Sequence, residues 1–152
     1  MESKKIYTTI LILLFFVFFL GWWITQSAIR NDNDVRDEAK NSVSSFQELY
    51  NQGEFIRMYE YGTDNFKKIT AKEDFIALME REKEVLGKHV KSELTFSNVI
   101  NSNVVILTYR STYERYSLIE EFQFIREDEQ HKLKLGTYFI DDRGTRGKVI
   151  KL

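Results

Sequence analysis

The chain of 152 residues contains no cysteine and no proline. Without cysteine it can form no disulfide, offer no thiolate nucleophile and carry no lipid on an N-terminal cysteine. It also lacks the usual ligands of structural zinc. Without proline its turns rest on Gly, Asn and Asp. Histidine is scarce: His89 and His131 each sit beside a lysine, with no converging Asp or Glu pattern. The sequence therefore predicts two solvated imidazoles and no metal centre. Neither a Ser/His/Asp spacing nor a nucleophile elbow occurs. Residues 144–147 lack the strand and helix that a phosphate loop requires. An excess of one charge is missing too: the formal net charge is −1, so no global field recruits nucleic acid. No cofactor is expected.

What the chain does have is one long apolar run. Residues 6–29 carry no charged side chain, and residues 10–24 are almost wholly Ile, Leu, Phe, Val and Trp. A helix rises about 1.5 Å per residue, so about 20 residues cross a hydrocarbon core of about 30 Å. Residues 6–25 meet that length with no charge to impose the ~2.5–3.5 kcal/mol cost of a mid-span ion. Trp22 and Trp23 at one edge and Tyr7 at the other suit the headgroup boundary. The expected partner of residues 6–25 is the lipid bilayer. A permanent anchor fits better than a cleaved signal peptide, whose apolar region is about 7–15 residues, and Thr25-Gln26-Ser27 is a poor small-x-small site. A buried core helix would need a polar face that this run lacks. Lys4 and Lys5 precede the run, and Arg30, Arg36 and Lys40 follow it. The positive-inside count therefore does not set the orientation. A very short basic head, residues 1–5, before a long signal anchor favours head in and domain out.

Removing the anchor leaves roughly 125 residues, one domain by length. Residues 26–38 read as a polar juxtamembrane linker, 39–140 as the folded domain, and 141–152 as a basic tail that is mobile or forms a final short strand. Val35, Ala39, Val43, Phe46 and Tyr50 follow one helical face, and Gly53 ends that helix. A shorter helix turns Phe55, Met58 and Tyr59 inward and stops at Gly62, after which Phe66 and Ile69 plug the next turn. Thr70 and Glu73 fit a capping box. The helix it opens aligns Phe75, Leu78, Met79, Val85 and Leu86, with Glu82 at the margin of the stripe and Gly87 as the stop. From Lys88 the period becomes two. Val90, Ser92, Leu94 and Phe96 alternate with polar residues, and Asn101-Ser102-Asn103 turns the chain. Residues 104–113 are β-branched and aromatic enough for a strand buried on both faces or at the sheet centre. Tyr116, Leu118, Glu120, Phe122 and Phe124 share a face. Residues 127–130 form an acidic hairpin tip. In the last strand Leu133, Leu135, Thr137 and Phe139 oppose Gly136, Tyr138 and Ile140. The predicted architecture is α+β: an N-terminal transmembrane helix followed by three helices packed on a curved four-stranded antiparallel sheet.

This arrangement resembles the nuclear-transport-factor-2-like, or cystatin-like, cone fold. Leu86-Gly87, residues 104–109 with Tyr113, Glu120-Glu121-Phe122 and residues 135–140 are similar to segments of an uncharacterised bacterial exported family, a domain of unknown function with that fold. The family often places Gly-x-Trp in the last hairpin, where this chain has Gln130-His131-Lys132-Leu133. The resemblance covers roughly residues 39–140 and implies no catalytic residues. The layout of head, single helix and external domain is also similar to an inner-membrane assembly component of type IV secretion systems, whose Asn-Pro motif is missing here. With the anchor and its short basic head, these bacterial resemblances lead to an expected location in the bacterial inner (cytoplasmic) membrane with the C-terminal domain outside the cytoplasm.

A cone cavity supports catalysis when it holds an acid–base pair and an oxyanion donor. The candidates for such a cavity are Tyr109, Glu121 and Tyr138. Glu120 and Glu121 are adjacent, so strand alternation sends them to opposite faces. A packing role for the tyrosines, with a cross-strand ion pair to Arg110 or Lys134 for the glutamate, explains the same residues without chemistry. The predicted function is accordingly a single-pass membrane-anchored, non-enzymatic interaction or assembly module of the cell envelope, working as a homodimer or with an envelope partner. The alternative is a small-ligand-binding or weakly catalytic cone domain using an internal cavity.

Overall fold

The computed structural model describes residues 2–127 and 132–141, with side chains of the first helix described from residue 14, apart from residues 27–29. The element order is α1(Glu2–Gln52), α2(Phe55–Glu60), α3(Asp64–Ile69), α4(Lys72–Leu86), β1(His89–Ile100), β2(Val104–Tyr113), β3(Ser117–Ile125) and β4(Lys134–Asp141). The fold class is α+β, with four helices and a four-stranded antiparallel sheet of order β1-β2-β3-β4 among the described residues. His131, residues 128–130 of the expected hairpin tip, and residues 142–152 of the expected tail lie outside the described residues. By contacts the chain divides into two compact units, Met1–Asp34 and Val35–Leu152.

The first unit lies on α1. The helix contains all of residues 6–25 and runs unbroken through residues 26–38, which the sequence reading assigns to a linker. Asn and Asp cost a helix interior less than about 0.7 kcal/mol each, and no proline or glycine follows Gly21 before Gly53 to end it. The large apolar side chains at residues 14–24 are 46–70% exposed. Among the described residues no helix is long and apolar enough to cross a membrane.

In the second unit, Val35, Ala39, Val43, Phe46 and Tyr50 are buried as their spacing predicts, joined by Leu49. Glu38, on the same helix, accepts the Arg126 guanidinium at 2.5 Å and the Leu133 backbone N–H at 2.8 Å, tying α1 to the chain on either side of the β3–β4 connection. Gly53, at φ 77°, closes α1 in the left-handed region where glycine carries no Cβ penalty. Thr63 caps α3 by accepting the Phe66 N–H at 3.0 Å. Phe66 is buried but Ile69 is exposed, so only one of the two expected plugs enters the core. The capping box does not form either. Thr70 terminates α3 and gives its N–H to the Phe66 carbonyl, and α4 starts after Ala71. On α4, Phe75, Met79, Glu82 and Leu86 are buried, so Glu82 lies inside the stripe and not at its margin.

The helices need only one face of the sheet. β2 lies within the sheet between β1 and β3, as one of the two expectations has it, and buries alternate residues, Val105, Leu107, Tyr109, Ser111 and Tyr113, so it is not buried on both faces. β3 buries Leu118, Glu120, Phe122 and Phe124 as expected. β4 departs from simple alternation. Gln123 pairs with Thr137 and Phe124 with Leu135, leaving Gly136 as an extra residue. Leu133 and Leu135 therefore share the inner face with Tyr138 and Ile140, while Thr137 is exposed. A Cβ at Gly136 would lie 2.6 Å from Ile125 Cδ1, so the bulge is built around the missing side chain. β1 carries two register shifts, and Val90, Leu94 and Phe96 are exposed; its half-buried positions are His89, Ser92, Ser97 and Val99.

Both sheet edges are partly occupied. On β4, the Thr63 N–H meets the Leu135 carbonyl and the Leu135 N–H meets the Tyr61 carbonyl, each at 2.9 Å. On β1, the Asn51 amide donates to the His89 carbonyl at 2.9 Å and accepts the His89 N–H at 2.8 Å.

Between helices and sheet the interior is filled by rings. Phe46 lies 5.4 Å from Phe122 and 5.0 Å from Tyr138, and Phe122 and Tyr138 are 5.0 Å apart. Edge and tilted contacts of this kind add about 0.5–1.5 kcal/mol per pair beyond area burial. Replacing Phe122 with Ala should cost about 3–5 kcal/mol. Urea unfolding of the full chain in detergent micelles measures it; a loss below 1 kcal/mol would mean the ring cluster is not the core.

Candidate functional site

The chemistry of the second unit is gathered on the inner sheet face. Leu118, Glu120, Phe122 and Phe124 alternate on β3, so an inward Glu120 follows from the same parity that buries its apolar neighbours. Tyr113 ends the inward series of β2, and the Gly136 bulge brings Tyr138 of β4 to the same side. Glu120, with 0% exposure, accepts hydrogen bonds on Oε1 from Tyr113 Oη at 2.6 Å and Tyr138 Oη at 2.7 Å. Gln47 of α1 donates more weakly to Oε2 at 3.4 Å.

From Gln47 the network continues outward. Its Nε2 also donates to Ser92 Oγ at 2.7 Å, and Ser92 Oγ is 2.7 Å from both Ser111 Oγ and His89 Nε2. His89 and Gln47 border an open depression of about 500 Å³ together with Asn51, Lys88 and Glu48. Tyr50 of α1 donates to the Gly87 carbonyl at 3.1 Å, linking α1 to the turn after α4. Glu82, 2% exposed, has neither carboxyl oxygen hydrogen-bonded among the described residues.

The environment sets the protonation of these groups. Burial first and the Glu120 charge second push the Tyr138 and Tyr113 hydroxyls well above the ordinary phenol range. Burial, with Glu82 and Glu120 adding to it, does the same to Tyr50. These hydroxyls are therefore fixed as donors. Burial, reinforced by Glu120, raises the Glu82 carboxyl well above the carboxylate range. His89 is lowered by burial, with Glu120 opposing.

The sequence-derived candidates divide. Tyr138 is at the centre of the network. Tyr109 faces inward opposite Glu120, packs edge-on against Phe122 at 6.1 Å, and is raised by burial. Glu121 is exposed, so the interior carboxylate is its neighbour Glu120. His89, expected to be solvated, is half-buried in the chain of hydroxyls because the Asn51 clamp draws the start of β1 under α1. Trp22 and Trp23 are exposed on α1, and the Tyr7 side chain lies outside the described residues. The sequence offers Glu120 only as the neighbour of Glu121 and Glu82 only at the margin of its stripe, and gives Tyr113 and Gln47 no chemical role, although the parity of β3 and the three- and four-residue steps of α4 place both glutamates on apolar faces.

Ser92 and His89 stand at nucleophile–base distance, but a hydroxyl oxygen has one donor and two acceptor positions. Gln47, Ser111 and His89 take all three, so the oxygen is saturated in place. Among the described residues no three His, Asp or Glu side chains converge to hold a metal ion. No protein-family model and no curated protein sequence matches the chain.

Hydrogen bonds to a charged acceptor contribute about 1.5–3 kcal/mol each, so Tyr113→Phe and Tyr138→Phe should each lower stability by that order. Because both donors share one oxygen, the double variant should depart from the sum of the singles. Denaturant midpoints of the three variants measure this, and strict additivity at small cost would argue that Glu120 does not depend on them.

Proposed function

We propose that this chain is a single-pass, membrane-anchored, non-enzymatic interaction or assembly module of the bacterial cell envelope. The observation that carries the reading is the band of exposed apolar side chains at residues 14–24, within a stretch, residues 6–25, that contains no charge. Phe15, Phe16, Val17, Phe18 and Phe19 are successive residues, so the band has no polar side. A contiguous apolar surface of this kind is stable in lipid and costly in water. Residues 6–13 extend the same uncharged run toward the N-terminus. The short basic head favours a C-terminal domain outside the cytoplasm.

The non-enzymatic part rests on the interior. Phe46, Phe122 and Tyr138 occupy the space a ligand cavity would need, and the polar groups beneath them are hydrogen-bonded to one another. That packing weighs against the small-ligand alternative. The order of helices followed by an antiparallel meander fits the cone-fold resemblance. Such a domain offers its outside, where Val90, Phe96 and Ile100 of β1 are exposed, to a second copy or to an envelope component.

The chain should fractionate with membranes and resist alkaline carbonate extraction, and deletion of residues 6–25 should release it. Replacing Phe16 and Phe19 with Asp should impair insertion by about 2.5–3.5 kcal/mol each near mid-span. A reporter active only outside the cytoplasm, fused after Leu152, should be active. Recovery of the full chain as a soluble protein would end the proposal.

A further inference from the structure

The two interior carboxyl groups have opposite surroundings. Everything that touches Glu120 is a donor: the Tyr113 and Tyr138 hydroxyls on one oxygen and the Gln47 amide on the other. An acceptor-only group surrounded by donors is an ionised carboxylate. Glu82 has no donor on either oxygen among the described residues. A charged carboxylate buried without partners takes up a proton, and a second negative charge nearby strengthens that outcome.

At the outer end, His89 Nε2 lies 2.7 Å from Ser92 Oγ, which can donate to it while the ring is neutral. Ser92 also accepts from Gln47 and is hydrogen-bonded to Ser111, where either hydroxyl can donate. With Ser111 as the donor, the Ser92 proton is left for a neutral imidazole. Protonation would place a proton on Nε2 and force the Ser92 hydroxyl to turn toward Ser111.

We propose that Glu82 and His89 form a two-sided pH switch in the fold, with Glu82 a neutral acid and His89 a neutral base on either side of the Glu120 hydrogen-bond cluster. Ionisation of Glu82 loosens α4 from the sheet, and protonation of His89 loosens the start of β1 from α1.

Among the described residues no other group offsets these roles. Facing Glu82 electrostatically are Tyr50 from α1, Tyr113 from β2, Glu120 from β3 and Tyr138 from β4. From α2 the buried residues are Phe55, Met58 and Tyr59, while its Arg57 and Glu60 are exposed. Lys83 on α4 itself is held at the Asn51 carbonyl at 2.9 Å. Facing His89 are Gln47, Asn51 and the exposed Glu48 from α1, the Tyr113 ring at 5.4 Å from β2, and Glu120 from β3. Glu114, from the turn after β2, is taken by the Lys88 N–H at 3.0 Å.

The signs follow from linkage. Glu82 is raised on folding, so its contribution is fully present below the ordinary Glu range and is lost as pH rises through the raised value. His89 is lowered on folding, so its contribution is fully present above the ordinary His value and is lost as pH falls through the lowered one.

The test uses the full chain in detergent micelles between about pH 5 and 9, below the ordinary tyrosine range. Thermal unfolding should show Tm falling toward the alkaline end. Glu82→Gln should flatten that limb and raise Tm at about pH 9, and His89→Gln should flatten the acid limb below about pH 6.5 and leave the alkaline one unchanged. Infrared spectra near neutral pH should contain a carboxylic-acid C=O band that Glu82→Gln removes. Parallel Tm profiles for wild type and Glu82→Gln would overturn the proposal. If the variant does not fold, the wild-type infrared spectrum decides alone, and absence of the acid band near neutral pH overturns it.

Discussion

One carboxylate oxygen, Glu120 Oε1, accepts from β2 and β4 at the same time, while the other oxygen of that group receives an amide from α1. A buried carboxyl group is tolerated only where its partners are in place; losing one donor costs about 1.5–3 kcal/mol. The demand is geometrical as much as energetic. A slip of β3 by one residue against either neighbour would turn Glu120 to the outer face together with Leu118, Phe122 and Phe124. An aromatic core accepts many packings of similar volume. The Glu120 cluster accepts one, and it fixes strand register and the position of α1 together.

The parts of this fold that follow directly from sequence are those where burial has a simple period. Val35 to Tyr50 at three- and four-residue steps, Phe75, Met79 and Leu86 of the α4 stripe, and Leu118 to Phe124 at two-residue steps enter the core, while Leu78 is partly buried and Val85 is exposed. The misreadings come from local events with no period. One extra residue at Gly136 inverts the phase of β4, so Tyr138 joins Leu135 on the inner face and Thr137 does not. Thr70 and Glu73 have the spacing of a capping box, but Thr70 is already used to end α3. Residues 26–38 have a linker's composition, yet without proline or glycine the helix continues through them.

For the site, Tyr138 and Tyr109 were legible as inward tyrosines on paired strands. The choice between Glu120 and Glu121 was legible too, because Glu120 shares its parity with Leu118 and Phe122. Glu82 was harder. A carboxylate on an apolar stripe is ordinarily displaced to the stripe's edge, and only the tertiary arrangement of α4 over Tyr50, Tyr113 and Tyr138 reveals that it stays inside. Gln47 and the Ser92–Ser111 pair belong to three different elements, and their convergence has no local signature.

The clamp of Asn51 on His89 has a bearing on self-association. With one amide the side chain imitates the peptide group of a neighbouring strand, taking up both the N–H and the carbonyl that β1 would otherwise extend toward another molecule. A foreign strand seeking to lengthen the sheet must therefore start beyond that point, along the irregular, twice-shifted remainder of β1. Side-chain mimicry thus hinders templated stacking of this chain into fibrils while leaving the exposed side chains of the same strand free to meet a folded partner.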